Sequence, residues 1–231
     1  MLQFKTSEEC AVELIAHTVL HDAMDTDLSG GMGTFPARAA RVSYANDQSE
    51  HSMEQDIKLI YYLARHNHLT PFEYQHATLM IECPLFIRSQ IHRHRTFSFN
   101  EISRRYTSEE IGFWIPTVWR KQATSNKQAS DGQFAYDDSK EMVEAYKRNC
   151  AVIEGNYETM IEIGVAREQA RAILPQSLLT RFYMGGNLRN WAHFLELRED
   201  SHAQPEVQIV AHKVHDILYD IWPASLGALM Q

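Results

Sequence analysis

HATLMIECPLFIRSQIHRHRTFSFNEISRRY, residues 76 to 106, changes its hydrophobic period midway, and that change sets the fold class. The first eight residues alternate, with Ala77, Leu79, Ile81 and Cys83 on one side, as a strand does. Pro84 then opens a short helix through about His92, which delivers a cluster of arginines near its C-terminal end. Thr96 to Tyr106 follows neither period and reads as loop.

Upstream, Met53 to His66 reads as a helix, with Ser52 and Gln55 forming a capping box and Ile57, Ile60 and Leu63 on one face. Thr70-Pro71-Phe72-Glu73 is a second helix start, with Thr70 as N-cap and Pro71 at the first helical position. Downstream, Arg120 to Gly132 is polar and aperiodic, so residues 120–136 are expected to be a surface loop. Asp138 and Glu141 cap a long helix to about Gly164, with Met142, Tyr146, Ile153 and Tyr157 inward. Another helix spans roughly Arg167 to Leu174. Leu178, Thr180, Phe182 and Met184 mark a strand closed by Gly185-Gly186. Asn187 caps a helix to about Arg198, and Pro205 starts the last one, whose Val207, Val210, Val214, Ile217 and Ile221 form a stripe. The expected fold is α+β: one helix-rich domain over residues 1–231, with a small, mostly antiparallel sheet flanked by helices.

A chain of 231 residues with 44% hydrophobic and 23% charged residues fits one soluble domain with a proper core. No apolar run approaches the ~20 residues of a membrane span. MLQFKTSEEC shows no basic leader before an apolar stretch, and a cytoplasmic location is expected. Cys10, Cys83 and Cys150 are odd in number and far apart, which disfavours a disulfide framework or a zinc site. His17/His21 and His212/His215 have helical spacing for a metal but no obvious third ligand, so no metal is expected. A net charge of −8 argues against general nucleic-acid binding.

Against that acidic background, five arginines and no lysine stand between Arg88 and Arg105. Arginine alone suggests planar, two-pronged donors, as phosphates and carboxylates require. Glu101, Glu109 and Glu110 are too few to neutralise the cluster, so an outside anion is the expected partner. Two other readings stay open: a nucleotide- or RNA-binding module stacking bases on Phe97, Phe99 and Tyr106, and a structural salt-bridge belt. Ser103 lacks a G-x-S-x-G setting or a dedicated base, so it reads as a phosphate donor rather than a nucleophile.

Arg93-His94-Arg95, seven residues, then Ser103 resembles the R-H-R-x7-S signature of the flavin-dependent thymidylate synthases. The longer string RHRTFSFNEISRRY extends the likeness. Ala37–Ser43 (ARAARVS), His68–Glu73 (HLTPFE), Ala170–Pro175 (ARAILP) and Leu195–Gln204 (LELREDSHAQ) support it in order. Together they span about residues 37 to 204.

The resemblance implies reductive methylation of dUMP to dTMP, with 5,10-methylenetetrahydrofolate supplying carbon and NADPH-reduced FAD supplying hydride. It implies a homotetramer with active sites shared between subunits. By resemblance, Gln90, Arg93, Glu101, Ser103, Arg104, Arg105, Arg171 and Arg198 hold dUMP, with Arg198 stabilising the ionised uracil ring. Ser43, Thr70, Glu73, Arg93, His94, Arg95, Asn100, Glu101, Asn187, Leu188, Arg189 and His193 hold FAD. Two residues depart from the family pattern: His193 stands where many members carry asparagine, and Arg104 where the residue is often small. No cysteine looks suited to attack uracil. Cys83 sits in an apolar strand pattern, and Cys10 and Cys150 lie in helical contexts.

Overall fold

The computed structural model describes residues 3–19, 34–45, 51–108, 111–125 and 130–231. His21, Glu109 and Glu110 lie outside them. Its centre is a four-stranded antiparallel sheet in the order β2 (Val12–His17), β3 (His76–Pro84), β8 (Leu179–Asn187) and β4 (Ser98–Glu101). β3 and β8 pair along their full lengths, from His76 opposite Asn187 to Pro84 opposite Leu179. Two smaller pairs complete the strands: β1 (Gln3–Lys5) runs parallel to β5 (Gly112–Trp114), and β6 (Arg120–Gln122) pairs with β7 (Ser130–Gln133).

One face of the central sheet is the core. Ala77, Leu79, Ile81 and Cys83 of β3 and Phe182 and Met184 of β8 are all at most 1% exposed. They share one cluster with Ile87 and Ile91 of α3 (Leu85–Ile91), Trp191 and Phe194 of α6 (Leu188–Arg198) and Val210 and Val214 of α7 (Pro205–Ile221). Each such large side chain stabilises the fold by about 1.5–3 kcal/mol on burial. The fold is therefore α+β, with a small sheet flanked by helices, as its periods suggest. Among the described residues no helix is long and apolar enough to cross a membrane.

α2 (Met53–Arg65) carries the expected capping box: Gln55 N donates to Ser52 Oγ and Ser52 N to Gln55 Oε1. Asn187 caps α6 by accepting from Asn190 N at 2.9 Å. Other expectations need correction. Thr96–Tyr106 is not all loop, because Ser98–Glu101 finds a partner strand in β8. Gly185-Gly186 does not close β8 but lies within it. A Cβ at Gly186 would stand 2.5 Å from the Phe97 ring, so the glycine admits that aromatic. Thr70 is no side-chain cap; Leu69 precedes a 3₁₀ turn over Thr70–Tyr74.

α4 (Tyr136–Glu162) starts before Asp138 and has no side-chain cap, and Ser139 Oγ instead accepts from Trp119 N at 2.8 Å. The segment expected as loop contains the β6–β7 hairpin. The helix expected at Arg167 splits into α5 (Arg167–Ala170) and a 3₁₀ turn at Arg171–Ile173. α7 is not the last helix, since α8 (Pro223–Leu229) follows it. Cys10 sits between β1 and β2, not in a helix. Near the N-terminus, α1 (Phe35–Arg41) leads into a 3₁₀ turn at Val42–Tyr44.

Candidate active site

α3 ends at Ile91, and the chain turns there with His94 N donating to Ile91 O at 3.0 Å. This turn drops His94, 8% exposed, against the edge of Phe194 with ring centroids 5.0 Å apart. Arg198 closes α6 and reaches the same place. Its Nε donates to His94 Nε2 at 2.9 Å, and its Nη2 donates to the Gln90 carbonyl at 3.1 Å. The ring nitrogen must be bare to accept, so His94 is neutral with its proton on Nδ1. Burial, then the Arg198 charge and then His193, push its pKa down to about 4. Among the described residues, two of the five guanidinium N–H groups of Arg198 find partners, which leaves three for a ligand in a fixed plane.

On the other side of α3, Arg88 Nε and Thr180 Oγ1 both donate to Glu101 Oε1, at 3.1 and 2.7 Å. Next to this pair is a cavity of about 280 Å³, lined by Arg88, Glu101, Ser103, Arg104 and Arg171 among others. Arg104 is buried and also lines a neighbouring cavity of about 250 Å³ with Lys5, Glu82 and Arg181. The arginine at this departure from the family pattern therefore faces inward. Arg105 is exposed, its guanidinium 5.6 Å over the Tyr106 ring. Residues 85 and 88 lie nearly opposite residue 90 on a helix of 3.6 residues per turn, so the candidates fall into two groups about α3.

Of the residues expected to hold a flavin, Thr70, Glu73, Asn187, Leu188 and Arg189 gather at the start of α6. Arg189 pairs with Glu73 at 2.6 Å, and Thr70 opens the same 3₁₀ turn as Glu73. Arg189 and His193 line a cavity of about 1040 Å³ together with Thr96, Asn190, Asn67 and Leu69. The His193 and His94 rings are 6.3 Å apart. Leu188 is fully buried, and its N–H already donates to Gln75 O at 2.7 Å. Ser43 lies exposed on the turn after α1, the helix whose Phe35 ring meets the Tyr74 ring edge-on at 5.9 Å. Asn100 lies in β4 one residue from Glu101, so the two point to opposite faces of the sheet.

The stacking platform loses its base. Phe97 is 8% exposed with its ring 4.6 Å from Trp191, and Phe99 lies 4.1 Å from the His92 ring. Of the three aromatics only Tyr106 is exposed. Arg88 pairs with Glu101, but the ion pairing does not extend to Arg93 and Arg95 among the described residues. Arg93 and Arg95 are exposed and make no side-chain hydrogen bond or ion pair among the described residues. No cysteine is poised for attack: burial, chiefly, pushes Cys10 up to about 12 and Cys83 well above its ordinary value, and raises Cys150. Thr180, Gln204 and Glu206 join the site's hydrogen bonds without having been marked as site residues. On its own each reads as an ordinary strand or helix-start residue.

Residues 31–224 match the family model of the thymidylate synthase complementing protein. Flavin-dependent thymidylate synthases of Thermosipho melanesiensis and Wolbachia pipientis are 40% and 39% identical, over 84% of this chain and 84% and 68% of their own lengths. The UMP/dUMP methylase PolB of Streptomyces cacaoi, solved with 5-Br dUMP, superposes with a TM-score of 0.82 at 29% identity, covering 98% of this chain and 96% of that one. The chain belongs to the flavin-dependent thymidylate synthase family.

Proposed function

We infer that this protein methylates dUMP to dTMP, with a bound flavin as the source of electrons. One observation carries the reading: the Arg198 guanidinium is held on two sides, by His94 and by the Gln90 carbonyl, and its remaining donors meet no acceptor among the described residues. A fixed cation beside a ring that becomes anionic stabilises the transition state without reorganising, an effect worth several kcal/mol at most. The raised thiols of Cys10, Cys83 and Cys150 favour this route over attack by a cysteine thiolate.

We propose that Ser103, Arg104 and Arg171 take the dUMP phosphate side, with Gln90, Arg93, Glu101, Arg105 and Arg198 completing the nucleotide's contacts. The cavity beside Arg171 has the donors for a phosphate. The residues present also fit FAD. Arg93 and Arg95 have no protein counter-ion among the described residues, and a diphosphate supplies one. Arg189 and His193 line the cavity of about 1040 Å³ and Asn187 caps the helix that carries them, with Thr70, Glu73 and His94 nearby. Leu188 would contribute only through its fixed place in the first turn of α6. When bound, the reduced flavin supplies a hydride, the protein providing orientation and a dry, charged setting.

NADPH as reductant, 5,10-methylenetetrahydrofolate as carbon donor and a cytoplasmic homotetramer complete the proposal. Sharing of sites between subunits is supported by the split of the candidates about α3. The test is to purify the protein, record its visible spectrum and assay dTMP formation. A flavin band and dTMP that requires both folate and reductant support the reading. A colourless protein that refuses added FAD overturns it.

A further inference from the structure

A chain of hydrogen bonds runs from the β6–β7 hairpin to the end of α3. Arg120 sets its fork on Glu206, with Nη1 2.7 Å from Oε1 and Nη2 2.9 Å from Oε2, while its Nε donates to Ser130 Oγ at 2.9 Å. Gln204 Nε2 donates to Glu206 Oε2 at 2.7 Å, and Gln90 Nε2 donates to Gln204 Oε1 at 2.6 Å. Glu206 is only 6% exposed, in the first turn of α7.

An ionised carboxylate offers only lone pairs. Burial works against the charge on Glu206, but the Arg120 fork and the Gln204 amide outweigh it and hold the group below its ordinary range. Whatever touches Glu206 must therefore donate, so Gln204 turns its NH2 toward the carboxylate and its carbonyl away. That carbonyl can only accept, so Gln90 must turn its own NH2 toward Gln204. Each amide inherits its direction from the charge behind it. The outward atom of Gln90 is then its carbonyl oxygen, which takes no hydrogen bond from a described residue.

We propose that Arg120, Glu206 and Gln204 are positioning residues that lock the Gln90 amide with its oxygen toward the nucleotide. Gln90 then recognises a hydrogen-bond donor on the substrate, an imide N–H or a sugar hydroxyl, and not a phosphate oxygen. This rests on the reading of Gln90 as a dUMP contact. The backbone carbonyl of the same residue holds Arg198, so the locked amide and the activating guanidinium share one support.

A thermal-unfolding cycle tests the lock without any ligand. Gln90→Glu sets acceptor against acceptor at Gln204 and lowers the melting temperature. Adding Glu206→Gln lets the whole chain reverse, so the double variant loses clearly less than the sum of the two singles. Equilibrium dialysis of dUMP against the FAD-loaded protein then reads the consequence. Gln204→Met and Gln90→Met each weaken dUMP binding by roughly 5- to 20-fold with flavin content unchanged, as loss of one oriented hydrogen bond implies. N3-methyl-dUMP and 3′-deoxy-dUMP name the donor, because the analogue lacking it binds the parent protein and Gln90→Met almost equally. Additive melting losses, with dUMP affinity sensitive to Gln90→Met but not to Gln204→Met, overturn the lock. Unchanged dUMP affinity in Gln90→Met instead overturns the reading of Gln90 as a substrate contact, and the recognition proposal falls with it while the melting cycle still reports on the lock.

Discussion

Arg198 Nε donates to His94 Nε2 at 2.9 Å, joining two residues that lie 104 positions apart. The histidine of the Arg-His-Arg stretch thus acts inside the protein, on the arginine proposed to activate uracil, while its two arginine neighbours face outward. Replacing His94 by phenylalanine keeps the packing on Phe194 but removes the acceptor. Turnover should fall about 10- to 100-fold, the scale of a misplaced catalytic group. His94→Gln, which can still accept, should recover much of it. Steady-state kinetics of the two variants check this.

The same contact has a pH signature. His94 is neutral in the fold, with its pKa lowered from the ordinary 6.5 to about 4. The unfolded chain therefore binds more protons between those values, and stability rises with pH across that window. It is lost as pH falls from about 6.5 toward about 4, where protonated His94 can no longer accept from Arg198. Denaturant unfolding at a series of pH values should show this slope, reduced in His94→Gln. Activity loss from this group should begin only near pH 4.

Arg198→Ala should cost about 10²–10³-fold in turnover. Folding and flavin content should change little, since Arg198 ends α6 rather than filling the core. Arg198→Lys should rescue poorly, because one ammonium cannot bond His94, the Gln90 carbonyl and an acceptor in one plane. Comparing flavin reduction by NADPH with dTMP yield separates the two effects.

Local features of this fold were legible in the chain. The Ser52–Gln55 capping box and the Asn187 cap depend on residues three apart, and the alternation of Ala77 to Cys83 depends only on neighbours. What depended on distant partners was not. Ser98–Glu101 becomes a strand only because β8 lies beside it. Gly185-Gly186 reads as a stop until Phe97 is seen resting on Gly186. In the site, the arginine stretch marked the place, but its division of labour did not show. That His94 serves Arg198, and that Gln90 is tied through Gln204 to Glu206, follows from helix ends meeting in space.

Cys83→Ala should leave catalysis intact. The thiol is fully buried in β3, and that burial chiefly raises its pKa, which disfavours it as a nucleophile. Removing its sulfur from the core should cost roughly 1 kcal/mol of stability, the scale of a small buried deletion. A loss of turnover beyond what the lower stability explains would count against the flavin route.

Gly186→Ala should destabilise the protein by roughly 1–3 kcal/mol, because the added methyl group meets the Phe97 ring at 2.5 Å and the strand is held on both sides. Phe97→Leu in the same chain should return part of the loss by vacating that space. Chemical denaturation of the single and double variants checks the coupling.

Electrons for the new methyl group are proposed to come from a flavin, with no cysteine-bound route. The direct measurement is a single turnover without oxygen, in which FAD-loaded protein is reduced by NADPH, freed of excess nicotinamide and mixed with dUMP and 5,10-methylenetetrahydrofolate. dTMP should form in proportion to the reduced flavin, with the oxidised flavin band returning as dTMP appears. Equal dTMP formation from protein whose flavin was never reduced, or was removed, would contradict it.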